Sequence, residues 1–265
     1  MKAPRLLRHV ALAFTALIAA TGTSAAQAPH RTRNVVLIVS DGLRWQEVFN
    51  GADDQLMNRK FGHVQDTSGL RRLFSRDSQN ASRAALLPFI WNVVAKQGEI
   101  FGNRSLQSDA DVTNGFKFSY PGYNEMITGH PDPRINSNNA GPNPNLTVFE
   151  WLNATPAYAN DVAIFGTWDE FADIFNRKRS HLPIWAAYDA PPTADPPSAR
   201  DSLLTELYGS TTRLWDDLAY DSFMQAEVTE YVGRKHPRVR FVGYGDTDEW
   251  ALMGGYDMVL RSAKQ

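Results

Sequence analysis

Three side chains of this sequence are of types that could do chemistry together: Asp41, Ser119 and Asp248. Asp41 ends the apolar run Val35–Val39, and Asp248 follows the apolar run that begins at Val239. Because parallel strands bring their carboxyl ends to one edge of a sheet, two carboxylates so placed can share a site. The chain has no cysteine, so a metal site would use carboxylate, imidazole and hydroxyl groups. The alternative for Asp41 is a carboxylate that caps the next helix.

Ser119 precedes Pro121, a residue that suits the first turn of a helix, and Gly129 ends the same segment. A hydroxyl at a helix N-terminus lies beside free backbone amides and the positive end of the helix dipole. Such a position would stabilise an alkoxide, and the same amides could bind a phosphate group. The alternative is that Ser119 is an ordinary N-cap residue.

The elements that would position these side chains alternate between strands and helices. Val35–Val39 is apolar throughout and mostly β-branched, which predicts a buried strand of a parallel sheet. Further strands are predicted at 162–165, 182–187 and 238–245, with shorter ones at 99–102 and 116–118, and helices at 86–96, 147–153, 168–177 and 199–232. The Pro- and Asn-rich segment 131–145 is predicted to be a loop. The predicted class is α/β, with a mostly parallel sheet and helices on both faces.

The first 26 residues are typical of a secretory signal peptide: a basic stretch, a short apolar run and small residues before Gln27. We therefore expect a single domain at 27–265 and a secreted or periplasmic location, with an uncleaved membrane anchor as the alternative. No later stretch is apolar enough to span a membrane. The net charge is −2 and no basic block is present, which argues against nucleic-acid binding.

Three segments, 34–42, 119–129 and 245–250, resemble motifs of the alkaline phosphatase superfamily, nearest to its nucleotide pyrophosphatase and phosphodiesterase branch. The resemblance covers most of the chain after the signal peptide. It implies a three-layer α/β fold and a metal-dependent phosphoric-ester hydrolase that uses two zinc ions. Small phosphate esters or nucleotides would be the substrates. The sulfatase branch fits less well, because Tyr123 stands where those enzymes need Arg.

The resemblance also implies roles for single residues. Asp41 would bind one metal ion, Ser119 would be both the nucleophile and a ligand of that ion, and Asp248 would bind the second ion. Asn138, or failing that Asn139, would donate a hydrogen bond to a phosphoryl oxygen.

Two departures from the family pattern bear on activity. Leu252 occupies the position of a histidine ligand four residues after Asp248, and the family's Asp-His-Gly segment and its last histidine do not occur. A site with so few ligands should hold zinc weakly. We therefore expect a domain that lacks its C-terminal part and has impaired hydrolysis. The alternative is a non-catalytic remnant or binding protein of the same fold.

Overall fold

The computed structural model describes residues 32–265, and residues 34–265 form one compact unit. The predicted signal peptide at 1–26 lies outside the described residues. The strands are β1 (Val35–Ser40), β2 (Val162–Gly166), β3 (Ile184–Ala186) and β4 (Val239–Tyr244). The α-helices are α1 (Trp45–Asn50), α2 (Thr67–Phe74), α3 (Gln79–Leu86), α4 (Ala95–Gln97), α5 (Ser119–Thr128), α6 (Val148–Ala154), α7 (Phe171–Ile174), α8 (Arg177–Ser180), α9 (Ala199–Ser210), α10 (Asp221–Lys235), α11 (Asp246–Leu252) and α12 (Tyr256–Lys264). A π-helical turn (Ile90–Val94) precedes α4, and a short 3-10 helix spans Arg104–Leu106.

The four strands form one all-parallel sheet in the described part of the chain, in the order β1-β4-β2-β3. β1 pairs with β4 from Val35 opposite Val239 to Ser40 opposite Tyr244. β4 also pairs with β2, so it lies in the middle of the sheet although it is the last strand in the sequence. The predicted α/β class with a parallel sheet is confirmed. This order brings the carboxyl ends of β1 and β4 side by side.

The prediction that β1 is buried is wrong. β1 is an edge strand, and Val36 and Ile38 are 45% and 61% exposed. Helix α10 packs on the same side of the sheet. Its residues Met224 and Val228 contact β2 and β4 but not β1. Only the opposite face of β1 packs, through Leu37 and Val39. An apolar run signals a strand, but it does not say whether the strand is central or at an edge.

Helices pack on both faces of the sheet. On one face, α5, α6 and α7 contribute to a core cluster that includes Tyr123 and Phe149 and the strand residues Ile164 and Phe241. On the other face, α10 packs against Phe165 and its neighbours. A separate apolar cluster joins α2, α3 and α12 away from the sheet. The largest cluster therefore lies under α5, the helix that begins with Ser119.

Some local predictions differ from the structure. Segments 99–102 and 116–118 are not strands, and both lie in the irregular region between α4 and α5. The helix predicted at 168–177 is two short helices, because Asn176 adopts a left-handed conformation with φ 44° and begins α8 anew. The helix after Thr147 forms as predicted, since the Thr147 hydroxyl accepts a hydrogen bond from the Glu150 amide at 3.0 Å. No helix within residues 32–265 has the length and apolar character needed to cross a bilayer.

Candidate functional site

Asp41 lies directly after β1. Hydrogen bonds join its backbone to the end of β4 and to the first turn of α11. The Asp41 amide donates to the Tyr244 carbonyl at 2.9 Å, and the Asp41 carbonyl accepts from the Thr247 hydroxyl. The same Thr247 hydroxyl is 2.9 Å from the Ser40 hydroxyl. Thr247 is almost fully buried, so this contact ties the turn after β1 to the first turn of α11.

Gly42 allows the two acidic segments to touch. Its φ is +68°, a conformation that glycine adopts at little cost. A Cβ atom at this position would lie 2.4 Å from the Asp248 Cα, which is far closer than any van der Waals contact. Because residue 42 is a glycine, the backbone next to Asp41 can approach the backbone of Asp248 closely, although the two residues are distant in the sequence.

Ser119 is the first residue of α5, and Phe118 holds the N-cap position in an extended conformation. The alternative that Ser119 caps this helix with its side chain is wrong, because the structure gives α5 no side-chain cap. Pro121 falls in the first turn, as predicted. The Ser119 hydroxyl thus lies at the amide end of a ten-residue helix. The Tyr120 amide donates to Asn138 and Pro121 has no N–H, which leaves the Ser119 amide for an anion.

Asn138 lies beside the start of α5, and its Oδ1 accepts a hydrogen bond from the Tyr120 amide at 3.1 Å. This leaves its Nδ2 group as the donor toward the space in front of Ser119. Asn139 is exposed and does not line that space. The loop before α6 is held from behind by buried Asn143, whose Nδ2 donates to the Ile174 carbonyl at 3.0 Å.

A single cavity joins the predicted residues. Asp41, Ser119, Asn138 and Asp248 all line it, and so does Leu252 at its mouth, where this leucine is 75% exposed. The cavity has about 530 Å³ of empty space, part of it continuous with solvent. The other lining residues are Tyr123, Thr167, Trp168, Phe171, Asp217, Leu218, Tyr244, Gly245 and Glu249.

Sequence reasoning missed two of the acidic residues in this cavity. Glu249 directly follows Asp248, and this position next to a predicted site residue could have indicated it. Asp217 lies in the segment between α9 and α10, and nothing in its local sequence distinguishes it from a surface residue. The aromatic wall formed by Trp168 and Phe171 was also missed, because these residues were assigned to a helix without reference to the site.

Burial and the charges of neighbouring carboxylates raise the pKa values of Asp248 and Glu249. Burial is the main cause that raises the pKa of Asp248 to about 6, and the negative charge of Asp41 is the second. Burial is also the main cause that raises the pKa of Glu249, and the negative charge of Asp217 is the second. The buried phenol of Tyr123 also has a raised pKa, with the charge of Asp41 and a hydrogen bond to it as further causes. The cavity therefore carries negative charge at a cost in free energy.

A second carboxyl pair lies behind the cavity and fixes the turn between β4 and α11. The Asp221 Oδ1 accepts from the amides of Gly245 and Asp246 at 2.9 and 3.2 Å, and the Asp246 Oδ1 accepts from the Asp221 amide at 3.1 Å. Burial, followed by the charge of Asp246, raises the pKa of Asp221 to about 7. Asp246 serves the turn, as the sequence indicated, and does not line the cavity.

The donors in this cavity form an incomplete ligand set for the two zinc ions that the family resemblance implies. Within residues 32–265, no three His, Cys, Asp or Glu side chains are arranged to hold a metal ion. The cavity offers carboxylate and hydroxyl oxygens, whereas zinc sites usually include imidazole or thiolate. Leu252 provides no donor atom, and none of the histidines in the described residues lines the cavity.

Comparisons of this chain with protein-family models, with curated proteins and with solved structures found no match.

Proposed function

We propose that this chain has the alkaline-phosphatase-like, three-layer scaffold of an exported, metal-dependent phosphoric-ester hydrolase. Ser119 is its nucleophile, and phosphodiesters or nucleotides are its substrates. Support comes from one observation above all: Asp41, Ser119, Asn138 and Asp248 belong to distant segments and line one cavity.

The residues of this chain would transfer the phosphoryl group from the ester to Ser119. The Ser119 oxygen attacks phosphorus, a serine–phosphate bond forms and the bond from phosphorus to the ester oxygen breaks. The proton lost by the Ser119 hydroxyl balances the one that the departing oxygen takes up to leave as the alcohol. The Ser119 amide at the start of α5 and the Asn138 Nδ2 donate to the phosphoryl oxygens as negative charge develops there. Zinc, the cofactor of this proposal, would supply charge neutralisation, and the incomplete ligand set keeps the activity of this chain low.

The test is hydrolysis of 4-nitrophenyl phosphate and bis(4-nitrophenyl) phosphate by the purified protein, with Zn²⁺ or Mn²⁺ added. We expect Ser119→Ala to reduce turnover to the rate without protein, because the attacking oxygen is removed. The control Ser137→Ala, in the loop near Asn138, should keep the wild-type rate. Mass spectrometry of the protein after reaction should find phosphate on the peptide that contains Ser119. Equal rates for wild type and Ser119→Ala would contradict the proposal.

A second candidate function, a binding protein of the same fold without catalysis, is favoured by Leu252. This apolar side chain projects into solvent at the mouth of the cavity, in the position that the family gives to a metal ligand. A lone carboxylate at Asp248 would then hold zinc weakly.

Zinc titration of wild type and Leu252→His by calorimetry separates the two candidates. Because Leu252 is exposed, the substitution should leave the fold intact, and the added imidazole should raise zinc affinity at least about tenfold. Two tight zinc sites in the wild-type protein would rule out the binding-protein candidate. Unchanged affinity in Leu252→His would show that this position does not face a metal ion.

A further inference from the structure

The cavity carries more negative charge than its four predicted residues would give it. Asp41, Asp217, Asp248 and Glu249 line it, and no Lys, Arg or His among the described residues does so. Within residues 32–265, none of these four carboxylates belongs to an ion pair. A cleft lined by charges of one sign concentrates ions of the opposite sign. The electrostatics of the cavity therefore favour a cation.

Aromatic side chains form the walls between these carboxylates. The Trp168 ring packs edge-on against Phe171 with centroids 6.2 Å apart, and the Trp168 backbone forms a bridge with Leu218. The Phe171 ring is held in turn against β2 and β4: a Cβ atom on Gly166 would lie 2.0 Å from it. The Trp168 ring, which lines the cavity and is half-buried, is the part of this wall that a cation can contact.

Thr167 adds an independent sign that the cavity is made for a ligand. It lines the cavity, its side chain is fully buried, and its hydroxyl has no hydrogen-bond partner among the described residues. Leaving a buried hydroxyl without a partner costs free energy, so most such groups in proteins are satisfied. A hydrogen-bonding group of a ligand would satisfy this hydroxyl, which both donates and accepts.

The spacing of the carboxylates distinguishes between kinds of cation. A metal ion needs several oxygens converging within about 2.0–2.6 Å of one point. The described residues contain no such convergence of three side chains. An alkylammonium ion has no such requirement, because each N–H group needs one acceptor and the carbon chain can lie along apolar walls.

We propose that this cavity binds an alkylammonium ligand, with Asp217 and Glu249 accepting from its nitrogen atoms and Trp168 contacting its carbon chain. The ligand is recognised by its charge, its N–H groups and its apolar chain. This inference goes beyond hydrolysis and does not depend on Ser119.

Calorimetry of the purified protein in EDTA, with 1,4-diaminobutane and tetramethylammonium as probes, tests the proposal. The matched neutral probe is 1,4-butanediol, which has the same carbon chain as the diamine without its charge. We expect the diamine to bind at least about tenfold more tightly than the diol. Tetramethylammonium, which has no N–H groups, measures the contribution of the aromatic wall alone. Because EDTA removes metal ions and no ester is present, failure here leaves the hydrolase proposal untouched.

Variants connect the binding to named residues. Asp217→Asn and Glu249→Gln should each weaken diamine binding several-fold, whereas the exposed Asp109→Asn, outside the cavity, should leave it unchanged. Trp168→Leu should weaken tetramethylammonium binding more than diamine binding. Asp217 is exposed, so its variant stays informative even if Trp168→Leu does not fold.

Equal affinity for diamine and diol, or diamine binding unchanged in both acidic variants, would overturn the proposal. So would tight Mn²⁺ binding, measured without EDTA, in a protein that binds neither ammonium probe.

Discussion

At the scale of single residues, Asp248 links the stability of the fold to the charge of the cavity. Its raised pKa of about 6 means that the folded protein binds a proton between about pH 4 and pH 6 that the unfolded chain releases. The free energy of unfolding therefore falls as pH rises through this window. The cavity thus keeps a carboxylate ready for a cation at the expense of stability near neutral pH.

Asp248→Asn should remove this dependence in metal-free buffer. At pH 8 the variant should be more stable than wild type by about 1 kcal/mol, after allowance for solvent screening, because a repelled and half-buried charge is gone. At pH 4, where Asp248 is protonated, the difference should disappear. Urea unfolding at both pH values measures it, with Asp109→Asn as an exposed control. A variant less stable than wild type at pH 8 would refute the stated cause of the raised pKa.

At the scale of elements, the junction between β1 and α11 determines whether the cavity forms. The turn after β1 and the first turn of α11 touch at Gly42, and the Thr247 hydroxyl connects the same two segments. A larger residue at 42 must push α11 away from the edge of the sheet, and Asp248 would move with it.

Gly42→Ala should destabilise the protein more than Gly141→Ala. Both glycines have similar positive φ values, +68° and +70°, but a Cβ atom at 141 would meet nothing within 4 Å. The Gly141 variant should therefore lose about 1 kcal/mol from backbone strain alone, and the Gly42 variant about 2 kcal/mol more from the clash. Urea unfolding gives both values. Similar losses in the two variants would mean that the contact between Gly42 and Asp248 is not tight.

At the scale of the whole molecule, the edge of the sheet at β1 is left uncovered by the rest of residues 32–265. β1 is six residues long, contains no proline or charged residue, and exposes Val36 and Ile38 on the face that α10 leaves uncovered. Soluble proteins usually protect such an edge with charged residues, proline or a covering element. Edge pairing between two copies of the chain is the expected consequence.

Ile38→Lys should weaken self-association of the purified protein by about tenfold or more, because a charge on the exposed face opposes edge pairing. The loss of fold stability should stay below about 1 kcal/mol, since Ile38 is mostly exposed. Sedimentation velocity over a range of concentrations measures the effect. Leu106→Lys, at an exposed leucine outside the sheet, is the matched control. Association that is equally weakened in both variants would exclude β1 as the contact.

Much of this protein could be predicted locally. Apolar β-branched runs predicted β1, β2 and β4, because a strand with little polar sequence must bury at least one face. Pro121 and Gly129 bounded α5, because proline suits a first helical turn and glycine readily adopts the left-handed conformation at a helix end. The carboxylates that follow β1 and β4 could be placed at one edge of the sheet, since parallel strands end on the same side.

The tertiary structure alone decided which strand lies at the edge and what else enters the cavity. Val36 and Ile38 look as buried in sequence as the residues of β4, yet helix α10 covers only β2 and β4. Asp217 and Trp168 reach the cavity because the segment before α10 folds back beside β2, a contact between residues far apart in the chain. Periodicity reports the local environment of a segment, whereas burial and proximity depend on which distant segments pack beside it.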